Sequence, residues 1–552
     1  MSENESDSLD PSRRATALAP LHHVVFRRVW LASTLSNLGG LIQSVGAAWM
    51  MISIAESPHM VALVQASVSL PVMLLALVAG ATADSLDRRK VMLGAQIFML
   101  LVSIVLMVCA WSGVITPWLL LLLTFLIGCG LAFNSPAWQA SVGDMVPRSE
   151  LPSAVALTSM GFNIARSIGP AIGGAIVAAV GAAAAFAVNA LCYVPLIAVL
   201  ASWRKPSTPN ALPRETLGVA VAAGVRYVAM SPRIGTVLVR AAAFCVGAGG
   251  LVALMPLIAK ELIGGGPLTY GLLLGAFGAG AVTGAAGNAR LRAVFSTEAM
   301  VRWSTIAFAI AAAVAAVSTY LLVTMAMLFI AGAGWLLALS TFNVAVQMSA
   351  PRWVVARALS IYQMAAFGGL AAGSWLWGAV ATNESITVAL LASAVVLIAC
   401  MLLGRWLPLA QAGELNLDPL NWKEPSTEVP IVARSGPIVV TIEYLIRDED
   451  VPEFLRAMNE RRRIRRRDGA RNWRLLRDLA DPRVWIERYE TPTWVDYVRH
   501  NRRMTQHDAV VPQRLRALHC GPDGPRVRRM IERESVARRE PRETLIDPTR
   551  YS

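Results

Sequence analysis

The sequence has few charged residues, and their scarcity is the first constraint on its class. Only 16% of its 552 residues are Asp, Glu, Lys or Arg, whereas a soluble protein carries roughly 25%. The deficit falls between about residues 26 and 407, where long apolar runs follow one another. Mean hydropathy is +0.52. This composition excludes a purely soluble protein and predicts a polytopic membrane protein with a soluble C-terminal part.

Other signatures are missing as well. The six cysteines stand singly, so neither a disulfide framework nor metal-ligand spacing is visible. No Gly-x-x-x-x-Gly-Lys-Ser/Thr sequence occurs, which argues against ATP as the direct energy source. No Asp, Glu or His lies well inside a predicted membrane helix, although proton-coupled transporters usually carry such a side chain. We therefore expect no cofactor, no metal and no catalytic residue, and the coupling ion stays open.

The apolar runs predict the topology. About twelve are long enough to cross a bilayer, which takes roughly 20 residues each. They fall near residues 26–54, 61–83, 91–112, 116–138, 151–181, 183–203, 234–262, 267–291, 299–320, 321–348, 357–381 and 384–406. Arginines collect in every second loop, and Lys260 is the only cation in the others. Because short basic loops stay inside the cell, we expect both termini to be cytoplasmic.

Polar breaks and strand-like alternation predict the domains. We expect a disordered tail at 1–20, a six-helix bundle at 21–204, a central loop at 205–232, a second six-helix bundle at 233–408, a linker at 409–435, an α+β domain at 436–531 and a disordered tail at 532–552. The soluble part reads strand-helix-strand-strand-helix with a closing strand near Val527. This order is the ferredoxin-like pattern.

The short loop after the second predicted helix carries the most specific motif. Gly80 permits close helix approach, Asp84 ends the helix, and Arg88, Arg89 and Lys90 follow. This spacing resembles the loop between helices 2 and 3 of the major facilitator superfamily. The resemblance implies a twelve-helix fold of two six-helix halves, with this loop latching the halves in the outward-facing state. The alternative is a basic loop that only orients the helices.

A second motif lies in the fifth predicted helix. Gly161, Gly169, Gly173 and Gly174 give a flat helix surface for close packing, and Pro170 bends the helix. These residues resemble the helix-5 motif that exporters of the superfamily carry and importers usually lack. The resemblance implies export, although small-residue packing explains the glycines equally well.

Polar side chains in the membrane part are candidates for a substrate cavity. A charged residue such as Arg166 is costly at membrane depth, so we expect it to have a function. It either faces a cavity beside Asn163 and Gln139 or satisfies helix-end carbonyls. Arg240 is better explained as an interfacial residue whose side chain snorkels to water. Further candidates are Asn37, Gln43, Trp49, Asn134, Trp138, Asn343, Gln347, Tyr362 and Gln363. A cavity with Arg166 and no acid predicts an anionic or neutral polar substrate.

The soluble part contains six arginines between Arg461 and Arg467 on one predicted helix. We expect this helix to face the anionic inner leaflet or to mediate self-association, rather than to bind nucleic acid. Arg466-Arg-Asp-Gly-Ala470 followed by Trp473 resembles the C-terminal domain of the transmembrane secretion effectors, the enterobactin-exporter type. The strand order also resembles small dimeric monooxygenases, and a pocket lined by Trp473, Trp485, Tyr489 and His500 would favour an enzymatic tail. We predict a regulatory or dimerising module instead.

These observations predict a secondary transporter that exports a siderophore-like or drug-like molecule across a bacterial inner membrane by alternating access, driven by an ion gradient. Three alternatives stay open. The chain is otherwise a general multidrug pump, an importer or sensor on the same scaffold, or a transporter fused to a small enzyme.

Overall fold

The computed structural model describes residues 18–147, 150–203, 217–351, 353–409 and 416–532 apart from positions 418, 419, 421 and 423. It divides into two compact units, Met1–Leu415 and Asn416–Ser552. Most of the predicted N-terminal tail, about half of the predicted central loop, part of the predicted linker and nearly all of the C-terminal tail lie outside the described residues.

The first unit is helical, and twelve of its described helices are long and apolar enough to cross a membrane. The N-terminal bundle consists of α1 Val24–Ile54, α2 Pro58–Ser85, α3 Arg88–Trp111, α4 Pro117–Val142, α5 Leu151–Val180 and α6 Ala182–Ser202. The C-terminal bundle consists of α8 Pro232–Leu257 with a π-helical turn Ile258–Leu262, α9 Pro267–Val294, α10 Thr297–Val317, α11 Leu321–Ser349, α12 Val355–Asn383 and α13 Ile386–Leu403. The predicted arrangement of six plus six helices is confirmed.

One helix was not predicted. Helix α7, Leu217–Ala229, forms part of the segment expected to be a loop and packs against α2, α8 and α12. Its Tyr227 is buried, and the ring meets Trp353 edge-on with centroids 5.5 Å apart. With 13 residues it is shorter than a membrane span, so a search for spans passes over it. It contacts both bundles where the chain crosses from one to the other.

The second unit is an α+β domain. Its antiparallel sheet has the order β2-β3-β1-β4, with β1 Ile438–Leu445, β2 Arg471–Arg477, β3 Val484–Thr491 and β4 Arg526–Ile531. Helices α14 Val451–Asp468, α15 Trp494–Arg502 and α16 Val510–Ala517 contribute to one hydrophobic core with β1. The ferredoxin-like prediction is confirmed, with one difference: the second predicted helix ends early and α16 follows it.

Candidate functional site

The two bundles meet along two seams, α5 against α9 and α2 against α12. We call the end of the bundles that carries the α2–α3 turn the arginine-rich end, and the other the opposite end. On the α5–α9 seam the backbones touch. A Cβ added to Gly174 would lie 2.7 Å from the Pro267 carbonyl oxygen, and one added to Gly271 would lie 2.5 Å from that of Pro170. Side chains at these glycines would hold the bundles apart at the opposite end.

The glycine contacts of this seam run from the opposite end to the middle of the helices. Gly278 of α9 lies against the backbone of Arg166, whereas Gly280 and Gly284, the next buried glycines of α9, face Phe329 and Ala333 of α11 within the C-terminal bundle. Beyond Gly278 towards the arginine-rich end, no glycine of α9 approaches α5. The close backbone contacts of the α5–α9 seam that involve glycine therefore lie in one half of the two helices.

The helix-5 motif has two faces. A Cβ on Gly169 would lie 3.0 Å from Cβ of Leu41, and one on Gly173 would lie 3.0 Å from Cα of Ile42, so both glycines pack α5 on α1. Gly161 packs on α1 as well, beside Thr34 at 2.5 Å. Gly174 and the Pro170 carbonyl instead form the seam. The motif therefore combines packing inside one bundle with contact between bundles.

The α2–α12 seam extends along the whole helices. At the opposite end, the Ser57 and Thr382 hydroxyls lie 3.1 Å apart, and a Cβ on Gly378 would lie 2.7 Å from that of Ala62. At the arginine-rich end, a Cβ on Gly80 would lie 3.0 Å from the Ser360 hydroxyl. His59, expected in a loop, lies in the first turn of α2.

Arg166 lies midway along the span Ser153–Val180. Its guanidinium carbon is 5.5 Å from the ring centroid of Phe277 on the facing bundle, within the range of a cation–π contact. Phe277 in turn packs against Phe308 and Trp335. The guanidinium has neither a hydrogen bond nor an ion pair to any described residue. No helix-end carbonyl among the described residues accepts a hydrogen bond from Arg166, so the alternative of a structural role there has no support in the described contacts.

Several other cavity candidates also have side chains without a hydrogen-bond partner in the described part of the chain. Asn37, Asn134, Asn163 and Gln363 are partly buried, and Gln139 is exposed. A polar group at membrane depth that lacks a protein partner is costly unless it meets water or a ligand. These residues therefore stay candidates.

Other candidates are engaged by neighbours. Gln43 is buried and accepts hydrogen bonds from Asn189 and from Ser103 at 3.1 Å, inside the N-terminal bundle. Gln347 donates to Asn343 on the same helix at 2.5 Å. Within the same set, Tyr362 donates to the Leu339 carbonyl, and Trp49 and Trp138 pack against apolar clusters. The assignment of Gln43 to a cavity is corrected, because its carbonyl oxygen already serves to join α1, α3 and α6.

The basic residues after α2 bind helix ends within the N-terminal bundle. Arg88 donates to the Ala140 carbonyl at 2.9 Å and to Asp144 at 3.1 Å, which ties the turn to α4. Arg89 donates to the Leu200 carbonyl at 2.6 Å, and so caps α6, where a cation also complements the helix dipole.

The other members of this motif differ. Lys90 is exposed. The side chain of Asp84 lies outside the described residues. Gly80 is the member of the motif that approaches the other bundle. The described contacts therefore place the two arginines in the N-terminal half.

Arg240 corrects another prediction. Its side chain does not snorkel to water. The guanidinium is buried and forms a bidentate ion pair with Glu298, in which Nη2 donates to Oε1 at 2.9 Å. It also donates to the Leu407 carbonyl at 3.3 Å. Glu298 accepts from the Leu409 amide, so the pair joins α8, α10 and the chain after α13.

A buried charged cluster organises the second unit. The Glu487 carboxylate is fully buried and accepts hydrogen bonds from Arg461 at 2.7 Å, Arg465 at 3.4 Å and Trp473 at 3.1 Å. Burial alone would raise its pKa, but the two arginines hold the pKa of Glu487 below its usual range. Arg465 also donates to His500 at 2.8 Å.

This cluster takes three of the six arginines away from the surface, and the expected contact of the helix with lipid or with a second copy stays a prediction. Arg461 and Arg465 are buried, and Arg467 is paired with Asp468 and Asp508. Helix α14 therefore turns these three inward, and Arg462, Arg463 and Arg466 stay exposed. A pocket lined by residues 473, 485, 489 and 500 would have favoured an enzymatic tail. Tyr489 lies in the core, Trp473 and Trp485 pack against it, and His500 lies beside Arg465. Glu487 lies 26 residues from Arg461, and His500 lies 35 residues from Arg465, so composition alone could not identify these partners.

Acidification is expected to loosen the second unit through His500. Burial and the nearby Arg465 hold the pKa of His500 well below 6.5. Because the unfolded chain then binds the proton more tightly, stability is lost as the pH falls below about 6.5. Asp468 acts the other way: burial raises its pKa to about 6 despite Arg467, so stability is regained below that pH.

The histidine contribution is isolated by His500→Gln, which keeps an acceptor for Arg465. Hydrogen exchange of β3, corrected for intrinsic rates, would be compared at about pH 7.5 and about pH 5.5. We expect the wild type to lose about tenfold more protection than the variant on acidification. Equal losses in both proteins would contradict the prediction.

A family model described as "Transmembrane secretion effector" matches residues 15–537. The staphyloferrin A transporter of Staphylococcus aureus is 32% identical over 170 residues, 31% of this chain and 42% of that protein. Macrolide efflux protein A of Streptococcus pyogenes is 22% identical over 147 residues, 27% of this chain and 36% of its own length. The chain thus spans less than half the length of these two relatives.

Solved structures show the same fold at low sequence identity. A bacterial homologue of the human lysosomal transporter Spinster is 14% identical with a TM-score of 0.55, covering 70% of this chain and 98% of that one. The nucleoside transporter NupG is 11% identical with a TM-score of 0.54, covering 69% and 98%. These similarities support the transporter fold of the first unit and carry no information on substrate.

Proposed function

Because the chain belongs to the transmembrane secretion effector family of major facilitator transporters, we propose that it exports a small anionic or neutral polar molecule from the cytoplasm. Transport would proceed by rocking of the two bundles about their two seams. The observation that carries the proposal is the α5–α9 seam, which joins the bundles by backbone contact over one half of the helices.

The distribution of basic residues indicates how the chain is oriented in the membrane. Short basic loops remain cytoplasmic, and we infer that the arginine-rich end faces the cytoplasm. The α5–α9 seam then closes the outer half of the bundle interface, as is needed in a state that receives its substrate from the cytoplasm. The Gly80–Lys90 segment already places Gly80 against α12 and anchors its arginines on α4 and α6. We infer that it completes a latch of the inner ends when the rest of the two bundles closes there.

Arg166 supports the charge of the substrate. It lies between the bundles at the end of the α5–α9 seam, over Phe277 and without a carboxylate partner in the described residues. A substrate carboxylate would supply the missing charge, and Asn37, Asn163 and Gln363 would supply neutral hydrogen bonds. A siderophore-like substrate is favoured by similarity to the staphyloferrin A transporter, and a drug-like one by similarity to macrolide efflux protein A.

The test is uptake into inverted membrane vesicles with an imposed ion gradient. Anionic siderophores, anionic drugs and cationic dyes would be compared for the wild type, Arg166→Ala and Arg166→Lys. We expect gradient-driven anion uptake that Arg166→Ala lowers by about tenfold or more, since a hydrogen bond to a charged group contributes about 1.5–3 kcal/mol. Arg166→Lys should retain part of it.

Two results would count against the proposal. Equal transport of cationic dyes by the wild type and Arg166→Ala would make Arg166 structural and favour general drug efflux. Uptake only into right-side-out vesicles would favour import. Arg302→Ala, at an exposed arginine of α10, is the matched control and should leave uptake unchanged.

A further inference from the structure

The second unit leaves one face of its sheet without helices. Ile438, Val440 and Ile442 of β1 point into the core shared with α14, α15 and α16. Because side chains alternate along a strand, Val439, Thr441 and Glu443 lie on the other face. We call this the open sheet face. Among the described residues of the unit, no helix packs on this face.

A row of arginines crosses the open sheet face. The register pairs Arg474 with Arg488, Arg488 with Thr441, and Thr441 with Arg528, so one line across all four strands reads Arg474-Arg488-Thr441-Arg528. Neighbouring strands lie about 4.8 Å apart. Like charges placed directly opposite each other destabilise a sheet, so the Arg474–Arg488 pair calls for a compensating anion.

Two carboxylates, Glu443 and Glu490, lie in the rows next to these arginines and compensate only part of their charge. Arg488 contacts Glu490 at 3.1 Å, but Arg474 and Arg528 are exposed and have no ion pair to a described residue. Apolar side chains flank the row, since Leu476 and Met530 are 44% and 45% exposed. The face therefore combines the unpaired guanidinium groups of Arg474 and Arg528 with exposed aliphatic groups and fewer carboxylates than arginines.

We propose that the open sheet face binds the headgroups of anionic phospholipids. The proposal rests on the cytoplasmic orientation inferred above, because the inner leaflet carries the anionic lipids that attract basic surfaces. The unit belongs to the same chain as twelve membrane-spanning helices, so the bilayer surface is at high effective concentration. Guanidinium groups suit phosphate geometry, and the flanking aliphatic side chains suit the interfacial region.

Two other occupants fit less well. RNA bound on a sheet surface usually stacks on aromatic side chains, and this face presents Leu476, Ile486 and Met530 instead. A second copy packed face to face would oppose one arginine row with another. The open sheet face is a different surface from the arginine-rich helix α14, three of whose arginines form hydrogen bonds or ion pairs within the domain.

The test uses the full chain in proteoliposomes. A dye on Met530→Cys, with exposed Cys520 replaced by serine, would report energy transfer to headgroup-labelled lipid. Vesicles of phosphatidylcholine alone would be compared with vesicles containing phosphatidylglycerol. A dye on Leu455→Cys, 41% exposed on α14, is the positional control. We expect transfer from position 530 only with phosphatidylglycerol, and loss of it at high salt.

Charge variants identify the surface. Arg474→Gln with Arg528→Gln is expected to weaken the lipid dependence about fivefold per arginine. Arg463→Gln with Arg466→Gln, which removes two exposed arginines of α14, should not weaken it. Unchanged unfolding temperatures would show that both double variants fold.

Several results would overturn the inference. They are equal transfer in both lipids, transfer that only the α14 variant reduces, transfer between labelled protomers that replaces transfer to lipid, and binding of RNA that the Arg474 and Arg528 variants abolish. Transport in the same proteoliposomes separates this inference from the proposed function. A preparation that transports without lipid-dependent transfer contradicts only the lipid surface, whereas one that binds lipid without transport contradicts the exporter.

Discussion

Replacing Gly174 with alanine is expected to reduce transport by at least about tenfold while leaving the fold intact. The new methyl group would lie 2.7 Å from the Pro267 carbonyl oxygen and 3.1 Å from Cα of Gly271. Neither backbone atom can move without moving α9, and overpacking of this kind costs about 1–3 kcal/mol. The cost falls only on the state in which the opposite ends meet, so the equilibrium should shift towards the open seam.

The adjacent glycine supplies the matched comparison. Alanine at Gly173 would lie 3.0 Å from Cα of Ile42 in α1, a contact inside the N-terminal bundle that both transport states need. Gly173→Ala should therefore lower the unfolding temperature without favouring either state. Gly40→Ala, where the structure places nothing within 4 Å, should change neither property.

Spin labels would measure the seam directly. Val180 and Leu322 are exposed at the opposite end, one on each bundle, at 73% and 78%. In a background without native cysteines, labels at these positions should report a longer mean distance in Gly174→Ala than in the wild type or Gly173→Ala. Equal distances with reduced transport would contradict the proposed role of the seam.

The comparison of Gly173 and Gly174 shows how far the sequence could lead. Successive residues on a helix point about 100° apart, so two adjacent glycines cannot serve a single narrow contact. The motif therefore predicts close packing, but nothing local indicates that α1 meets one glycine and α9 the other. The identity of a packing partner is a property of the tertiary fold.

The length of the apolar runs and the alternation of apolar and polar residues in strands explain which elements could be predicted from the sequence. Twelve spans and the strand order of the second unit follow from patterns within about 30 residues of chain. Helix α7 is too short for the first pattern. The partners of Arg240, Arg461 and Gln43 lie 58, 26 and 146 residues away, and no local pattern points to them. A buried arginine and a snorkelling one look the same in sequence until the acid is located.

Removing that acid is expected to produce the largest loss of stability in the chain. Glu298→Gln would leave the Arg240 guanidinium buried without its counter-charge, and breaking a buried pair in this way costs about 3–5 kcal/mol. Yield and unfolding temperature should fall together. Arg302→Gln is the control on the same helix, because its side chain is exposed, and it should have little effect.

The double variant Arg240→Met with Glu298→Leu distinguishes the effect of an unpaired charge from the effect of losing the hydrogen-bond geometry of the pair. If the loss in Glu298→Gln comes from an uncompensated charge, removing both charges should recover most of the stability, since well-packed apolar replacements of a buried pair are often neutral. The Leu409 amide would still lose its acceptor, which limits recovery by about 1–3 kcal/mol. A double variant as unstable as Glu298→Gln would instead mean that the geometry joining α8, α10 and the chain after α13 matters more than the charge.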